Sequence, residues 1–230
     1  MINNSPNLVS LKIGIPHANL EWLNGLFGSL NVHFPALQTL KIRSQTCNIK
    51  SKVVSIGLCS FFERHPQLRT VYFDWPVSMR ICAAAGQGGI DLTASQSPYS
   101  PSKGYTIPES YLDFERLFPS LESFAGNVLD CASVVKSSKL AGQLVELQVT
   151  DAFGQNLDYC YGIQSLAQAV SSLPKLQRFE YSGSFSPEAT TAQDKGHLAK
   201  IVAACPELAF LKLISAQHTL VRLCFVSRPC

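Results

Sequence analysis

Charge is scarce in this chain. Lys, Arg, Asp and Glu make up 15% of its 230 residues, against about 25% in an ordinary soluble domain. Much of the surface must then fall to Ser, Gln, Asn and exposed apolar groups. The 19 basic and 16 acidic residues leave a net charge of +3. No run of four or more Lys/Arg occurs, which removes the simplest electrostatic footprint of a nucleic-acid binder. No apolar run approaches the roughly 18 residues of a membrane span. The opening MINNSPNLVS lacks the basic and apolar regions of a secretory leader.

Chemical motifs are also missing. The eight cysteines stand at 47, 59, 82, 131, 160, 205, 224 and 230. None forms a CxxC, and none pairs with a His at zinc spacing. They are expected to be reduced and mostly buried, in a cytoplasmic or nuclear protein. There is no HExxH and no Gly-x-Ser-x-Gly, and GQGG at 86–89 is not followed by the Gly-Lys-Ser/Thr of a phosphate loop. The five histidines, at 17, 33, 65, 197 and 218, are scattered. His65 directly precedes a proline and is expected to serve a junction. Cys59 is expected to be a buried thiol rather than a nucleophile, and Asp151 with Asp158 a solvated pair. No residue is assigned to catalysis, a cofactor or a metal. The chain is expected not to be an enzyme and to bind neither nucleic acid nor membrane.

What the chain has in abundance is one short phrase, Pro-x-Leu-x-x-apolar-x-apolar. It begins at Pro6 (PNLVSLKI), Pro35 (PALQTLKI), Pro66 (PQLRTVYF), Pro174 (PKLQRFEY) and Pro206 (PELAFLKL). A sixth copy at Pro119 (PSLESFAG) departs at its last position, and a seventh, GQLVELQV, opens on Gly142. Six of the thirteen prolines open a copy, so the register is specific where apolar alternation alone would not be. The leading leucines are 8, 37, 68, 121, 144, 176 and 208, with gaps of 29, 31, 53, 23, 32 and 32 residues. Such periods mark a solenoid.

Each copy suits a short strand with one buried face, as in Leu40 and Ile42, with Leu37 at the strand entrance. Apolar residues at helical spacing precede most copies. They are Leu20, Leu23, Phe27 and Leu30; Val53, Val54, Phe61 and Phe62; Ile163, Leu166, Val170 and Leu173; and Leu198, Ile201, Val202 and Cys205. Proline disfavours helix in the residue before it and brings no ladder N–H, so it fits the point where a helix stops and a strand is about to start. The unit is strand, loop, helix, proline. Alone it buries too little apolar surface to offset the ordering of its backbone, so units must stack. The expected fold is α/β, a solenoid of about seven irregular repeats over residues 1–215, with parallel strands on the concave side and helices on the convex side.

Leu-x-x-Leu-x-Ile on a period near 30 resembles an irregular leucine-rich repeat of the ribonuclease-inhibitor-like type. FPALQTLKI, HPQLRTVYF and LPKLQRFEY resemble the repeat regions of fungal F-box proteins, over roughly residues 5–215 apart from 76–108. The usual asparagine ladder is nearly absent; Cys47 and Ala152 lie near its position. The resemblance implies the substrate-binding repeats of a ubiquitin-ligase receptor, in which an F-box docks on a Skp-type adaptor and a cullin scaffold. No leucine- and proline-rich helical opening precedes the first copy here, so a Skp-type adaptor is expected only if an F-box exists outside this chain. The chain is expected to be a fragment or to lack an N-terminal module. The alternatives are a free-standing scaffold and a small-GTPase regulator; the regulator would use an Arg or Asn on a strand-to-helix loop, with Arg43 and Asn127 the nearest candidates.

Side chains alternate across a strand, so residues between the buried positions should line the concave face and hold a protein partner. These are Ser10 and Lys12; Thr39, Lys41 and Arg43; Thr70, Tyr72 and Asp74; Ser123 and Asn127; Glu146 and Gln148; Arg178 and Glu180; Phe210 and Lys212. Tyr72 and Phe210 are the candidate anchors. Residues 76–108, with four Gly and four Pro, are expected to form a long loop or a decayed repeat, with Ser97 and Ser100 as candidate phosphate acceptors. Residues 216–230 are expected to be an edge strand or a tail.

Overall fold

The computed structural model describes residues 5–15, 18–19, 25–28, 33–44, 47–48, 54–74, 113–150, 161–183, 192–215 and 221–224. The expected loop at 76–108 lies outside them, as do Leu20, Leu23, Leu30, Val53, Asp151, Ala152, Asp158, His17 and His218. The fold is α/β and divides into two compact units, residues 1–120 and 121–230.

The first unit carries strands β1 (Ser10–Ile15), β3 (Thr39–Ser44) and β5 (Thr70–Asp74), which pair in parallel in that order. The two-residue strands β2 (Ala18–Asn19) and β4 (Cys47–Asn48) form a second parallel pair. Residues 25–28 make one helical turn, and helices α1 (Val54–Glu63) and α2 (Phe114–Leu117) are the other helices among the unit's described residues. The second unit carries β6 (Ser123–Gly126), β7 (Glu146–Thr150), β8 (Arg178–Gly183) and β9 (Phe210–Ser215), again parallel and in chain order. Its helices are α3 (Val128–Lys136), α4 (Ser138–Gln143), α5 (Tyr161–Ala169) and α6 (Ala192–Ala203), with α3 packed on α5 and α5 on α6. One further strand lies in the stretch 216–230, outside the expected solenoid. β10 (Val221–Cys224) runs antiparallel beside β9, because too few residues separate the two for a helical crossover.

Strands β1, β3, β5, β6, β7, β8 and β9 each begin two residues after a leading leucine. The phrase produces this through a tight turn. The N–H of the leucine donates to the carbonyl of the residue before the proline, as in Leu8 to Ser5 (3.0 Å), Leu37 to Phe34 (3.0 Å), Leu68 to His65 (3.1 Å), Leu176 to Leu173 (3.2 Å) and Leu208 to Cys205 (3.1 Å). Proline therefore sits second in a four-residue turn, where its fixed φ is an advantage and its missing N–H costs nothing. Each turn delivers the chain to its neighbour by a shared device. The carbonyl just after one leading leucine accepts two successive N–H groups at the start of the next strand: Val9 from Gln38 and Thr39, Gln38 from Arg69 and Thr70, Val145 from Gln177 and Arg178, and Gln177 from Ala209 and Phe210. Where Gly142 replaces proline, helix α4 runs on to Gln143, and the N–H of Leu144 donates to the Leu140 carbonyl.

The leucines form the floor of each core. Leu37 and Leu68 in the first unit, and Leu121, Leu144 and Leu176 in the second, are fully buried. Each such side chain contributes about 1.5–3 kcal/mol by leaving water. Of the expected helix faces, Phe27, Phe61 and Phe62 in the first unit and Ile163, Leu166, Val170, Leu173, Ile201 and Cys205 in the second are buried, while Leu198 and Val202 are only half-buried. The first core is aromatic. Phe27 meets Phe61 and Phe62 meets Phe118, each pair with ring centroids 4.6 Å apart and the rings tilted, a favoured geometry. The residue before the proline is buried at Phe34, His65, Phe118, Leu173 and Cys205 alike. His65 is thus the one ring nitrogen-bearing side chain in an otherwise apolar series.

Gly126 explains why the Pro119 copy departs from the phrase. An added Cβ there would lie 3.0 Å from Cε1 of Phe124. The Phe124 ring already fills the space that Val149 and Tyr181 fill with their own side chains one and two strands on.

Candidate functional site

Register carries the alternate side chains into rows on each unit's sheet. In the first unit Lys12, Lys41 and Tyr72 are successive neighbours, and so are Gly14, Arg43 and Asp74. In the second unit the rows are Ser123, Glu146, Arg178 and Phe210, then Ala125, Gln148, Glu180 and Lys212. All eleven residues expected to bind a partner, Lys12, Lys41, Arg43, Tyr72, Asp74, Glu146, Gln148, Arg178, Glu180, Phe210 and Lys212, lie on strands in these rows.

The rows of the second unit are tied together. Nε of Arg178 donates to Oε1 of Glu180 at 2.9 Å and approaches Oε1 of Glu146 at 3.1 Å; its Nη2 also meets Glu180. Lys212 Nζ donates to the other Glu180 oxygen at 3.2 Å, and the Ser123 hydroxyl donates to Glu146 at 3.1 Å. The Arg178 guanidinium lies 4.1 Å over the Phe210 ring centroid, well inside cation–π range. Glu180, expected to line the concave face, has a side chain only 7% accessible. Two cations and their N–H donors offset the cost of taking these oxygens out of water. The result is a balanced patch of two carboxylates and two cations. It holds Arg178 in one place and leaves its flank and the Phe210 ring partly open.

The first unit is looser. Arg43 Nε lies 3.0 Å from Asp74, but its side chain is 75% exposed, so the pair contributes little. Lys41 Nζ stands 5.5 Å from the Tyr72 ring centroid, and Lys12 is exposed.

Asn127 does not belong with these residues. It follows the last residue of β6 and caps α3, its Oδ1 accepting the Asp130 N–H at 3.1 Å while its amide donates to the Asp130 carboxylate at 3.2 Å. The short side chain that suits a strand face equally suits the first turn of a helix.

Two polar contacts were harder to foresee. His65, fully buried, donates from Nδ1 to the Phe61 carbonyl at 2.6 Å and accepts the Phe34 N–H on Nε2 at 2.9 Å. The accepting Nε2 fixes the neutral tautomer with its proton on Nδ1. Burial pushes the pKa of this ring down, against the pull of the Phe61 carbonyl, and the nearby His33 and Arg64 push the same way. Cys131 points its thiol at the Gly126 carbonyl (3.4 Å) and the Gln148 carbonyl (3.6 Å), linking β6 to β7. A signal for it exists in the sequence. Cys131 stands ten residues after Leu121, as Cys47 stands ten after Leu37.

Nucleophilic chemistry finds no support among the described thiols. Cys59, Cys131 and Cys205 are free. Burial raises the Cys59 thiol to about 11, helped by Glu63, and the Cys205 thiol to about 12; Cys131 is pushed well up by burial and by Asp130. Thiolate is scarce in all three. Among the described residues no group of three His, Cys, Asp or Glu could hold a metal ion, and no helix is long and apolar enough to cross a membrane. Compared with protein-family models, curated proteins and solved structures, the chain gives no significant match.

Proposed function

We propose that this chain is a non-catalytic protein-recognition module, an irregular leucine-rich-repeat solenoid that holds its partner on the strand face. The observation that carries the reading is the row of Glu146, Arg178 and Phe210 with Glu180 and Lys212 beneath. A guanidinium fixed by two carboxylates and stacked on an aromatic ring is ordered before any partner arrives. Little further entropy is lost when it is used, and Arg and aromatic residues dominate interface energetics. On the resemblance of its phrases to fungal F-box proteins, the module is the substrate-binding region of a ubiquitin-ligase receptor in a reducing compartment, cytoplasmic or nuclear. A small-GTPase regulator is the weaker reading, since Asn127 is engaged in a helix cap and Arg43 lies within strand β3 rather than on a strand-to-helix loop.

The test is affinity capture of the complete gene product, wild type and with Lys41, Tyr72 and Arg178 changed to Ala, the bound proteins being identified by mass. The reading expects a partner that the wild type recovers and the variant loses at equal folded yield. Equal recovery overturns it. A Skp-type adaptor in both captures supports the ligase link; its absence from both favours a free-standing scaffold.

A further inference from the structure

We infer that the Lys12, Lys41 and Tyr72 row of the first unit receives an acidic segment of the protein partner, with Arg43 as an auxiliary cation. The inference rests on the recognition reading and names the chemistry of the ligand. Lys12 and Lys41 are direct neighbours on adjacent parallel strands, whose backbones lie about 4.8 Å apart. Like charges placed opposite each other work against pairing. Among the described residues, no ion pair joins either lysine to a carboxylate. The corresponding rows of the second unit are arranged differently, each cation there meeting Glu146 or Glu180. On the described strand face the first unit sets three cations, Lys12, Lys41 and Arg43, against the single carboxylate of Asp74.

A ligand carboxylate between the two ammonium groups relieves their repulsion and gains from both. Asp74 does not compete, because its partner Arg43 stands on the next row. The row above supplies Ser10, Thr39 and Thr70 in register, hydroxyls that can donate to and accept from a peptide backbone. Tyr72, half-buried beside Lys41, is the aromatic residue of the row. An acidic peptide fits this surface better than a nucleic acid, which needs an extended run of phosphate contacts that two lysines and an arginine do not provide.

The experiment uses the folded full chain and labelled oligo-glutamate and oligo-glutamine peptides, read by fluorescence anisotropy. A labelled single-stranded oligonucleotide is the third probe. The inference expects oligo-glutamate to bind, oligo-glutamine not to bind, and added salt to weaken the complex. It expects Lys12→Gln with Lys41→Gln to lower oligo-glutamate affinity by about tenfold or more, while Lys175→Gln, at an exposed turn position, leaves it unchanged. Circular dichroism confirms that each variant is folded. Absent oligo-glutamate binding, equal affinity in the double variant, or tighter binding of the oligonucleotide overturns the inference. Any of these alongside face-dependent partner capture sinks the acidic-ligand inference alone and leaves the recognition reading in place.

Discussion

Replacing His65 with Phe separates what an apolar ring can do at this position from what a ring with two nitrogens does. Phe34 and Phe118 occupy the equivalent position in other copies, so the volume is tolerable. The loss is polar. Phe34 is buried, and its N–H would lose the acceptor that Nε2 provides at 2.9 Å. Leaving a buried donor unpaired costs about 1–3 kcal/mol. At about 2 kcal/mol the melting temperature of a chain this size falls by roughly 4–8 °C. The Phe61 carbonyl is less affected, because it also accepts the Arg64 N–H at 3.2 Å. The same substitution removes a pH dependence whose sign is fixed. Burial holds the folded-state pKa of His65 below its ordinary 6.5, so on acidification the unfolded chain takes up the proton first. The stability that neutral His65 confers is complete above about pH 6.5 and is lost as pH falls through the window down to the folded-state value, at no more than about 1.4 kcal/mol per pH unit. Urea unfolding at about pH 7.5 and about pH 5.5 measures both effects. Wild type should lose more stability on acidification than His65→Phe does, the difference between the two isolating His65 from the other four histidines. Identical pH slopes, or a variant as stable as wild type at the higher pH, would refute the hydrogen-bonded, neutral assignment.

Two glycines that look alike in sequence should behave oppositely. Gly126→Ala drives a methyl to 3.0 Å from the Phe124 ring and should cost about 1–3 kcal/mol, whereas Gly142→Ala, in α4 with nothing within 4 Å, should gain about 0.5–1 kcal/mol; thermal unfolding of the two variants checks the signs. Cys131→Ala removes a fully buried thiol that reaches two carbonyls and should destabilise by about 1–3 kcal/mol in urea unfolding. In the native protein Cys59, Cys131 and Cys205 should resist iodoacetamide at mildly alkaline pH, with peptide mass mapping as the readout, since their raised pKa values leave little thiolate.

The parts of the fold that were legible in the sequence are those set by local chemistry. Proline fixes a turn, the leucine two residues on closes it, and apolar alternation then decides which strand face is buried. The strand starts, the inward faces of α1 and α5, and the junction role of His65 all follow from neighbours within a few residues. The contacts that escaped depend on partners from other copies. His65 meets Phe34 across 31 residues, Cys131 meets Gln148 across 17, and Glu180 meets Lys212 across 32. Alternation correctly sets Glu180 on the polar side of its strand. It cannot tell that Arg178 and Lys212 will close over the carboxylate and nearly remove it from water. Asn127 escaped for another reason, since a polar residue at a strand end fits either the strand face or a helix cap, and the start of α3 decides between them.

The most direct measurement is site-specific photocrosslinking to the captured partner. A photoreactive phenylalanine analogue replaces Gln148, which lies in the polar row of β7 between Ala125 and Glu180, or Lys200, which is exposed on α6. If the strand face holds the partner, the adduct forms from position 148 and not from position 200. An adduct from position 200 alone would move recognition to the helices and contradict the account.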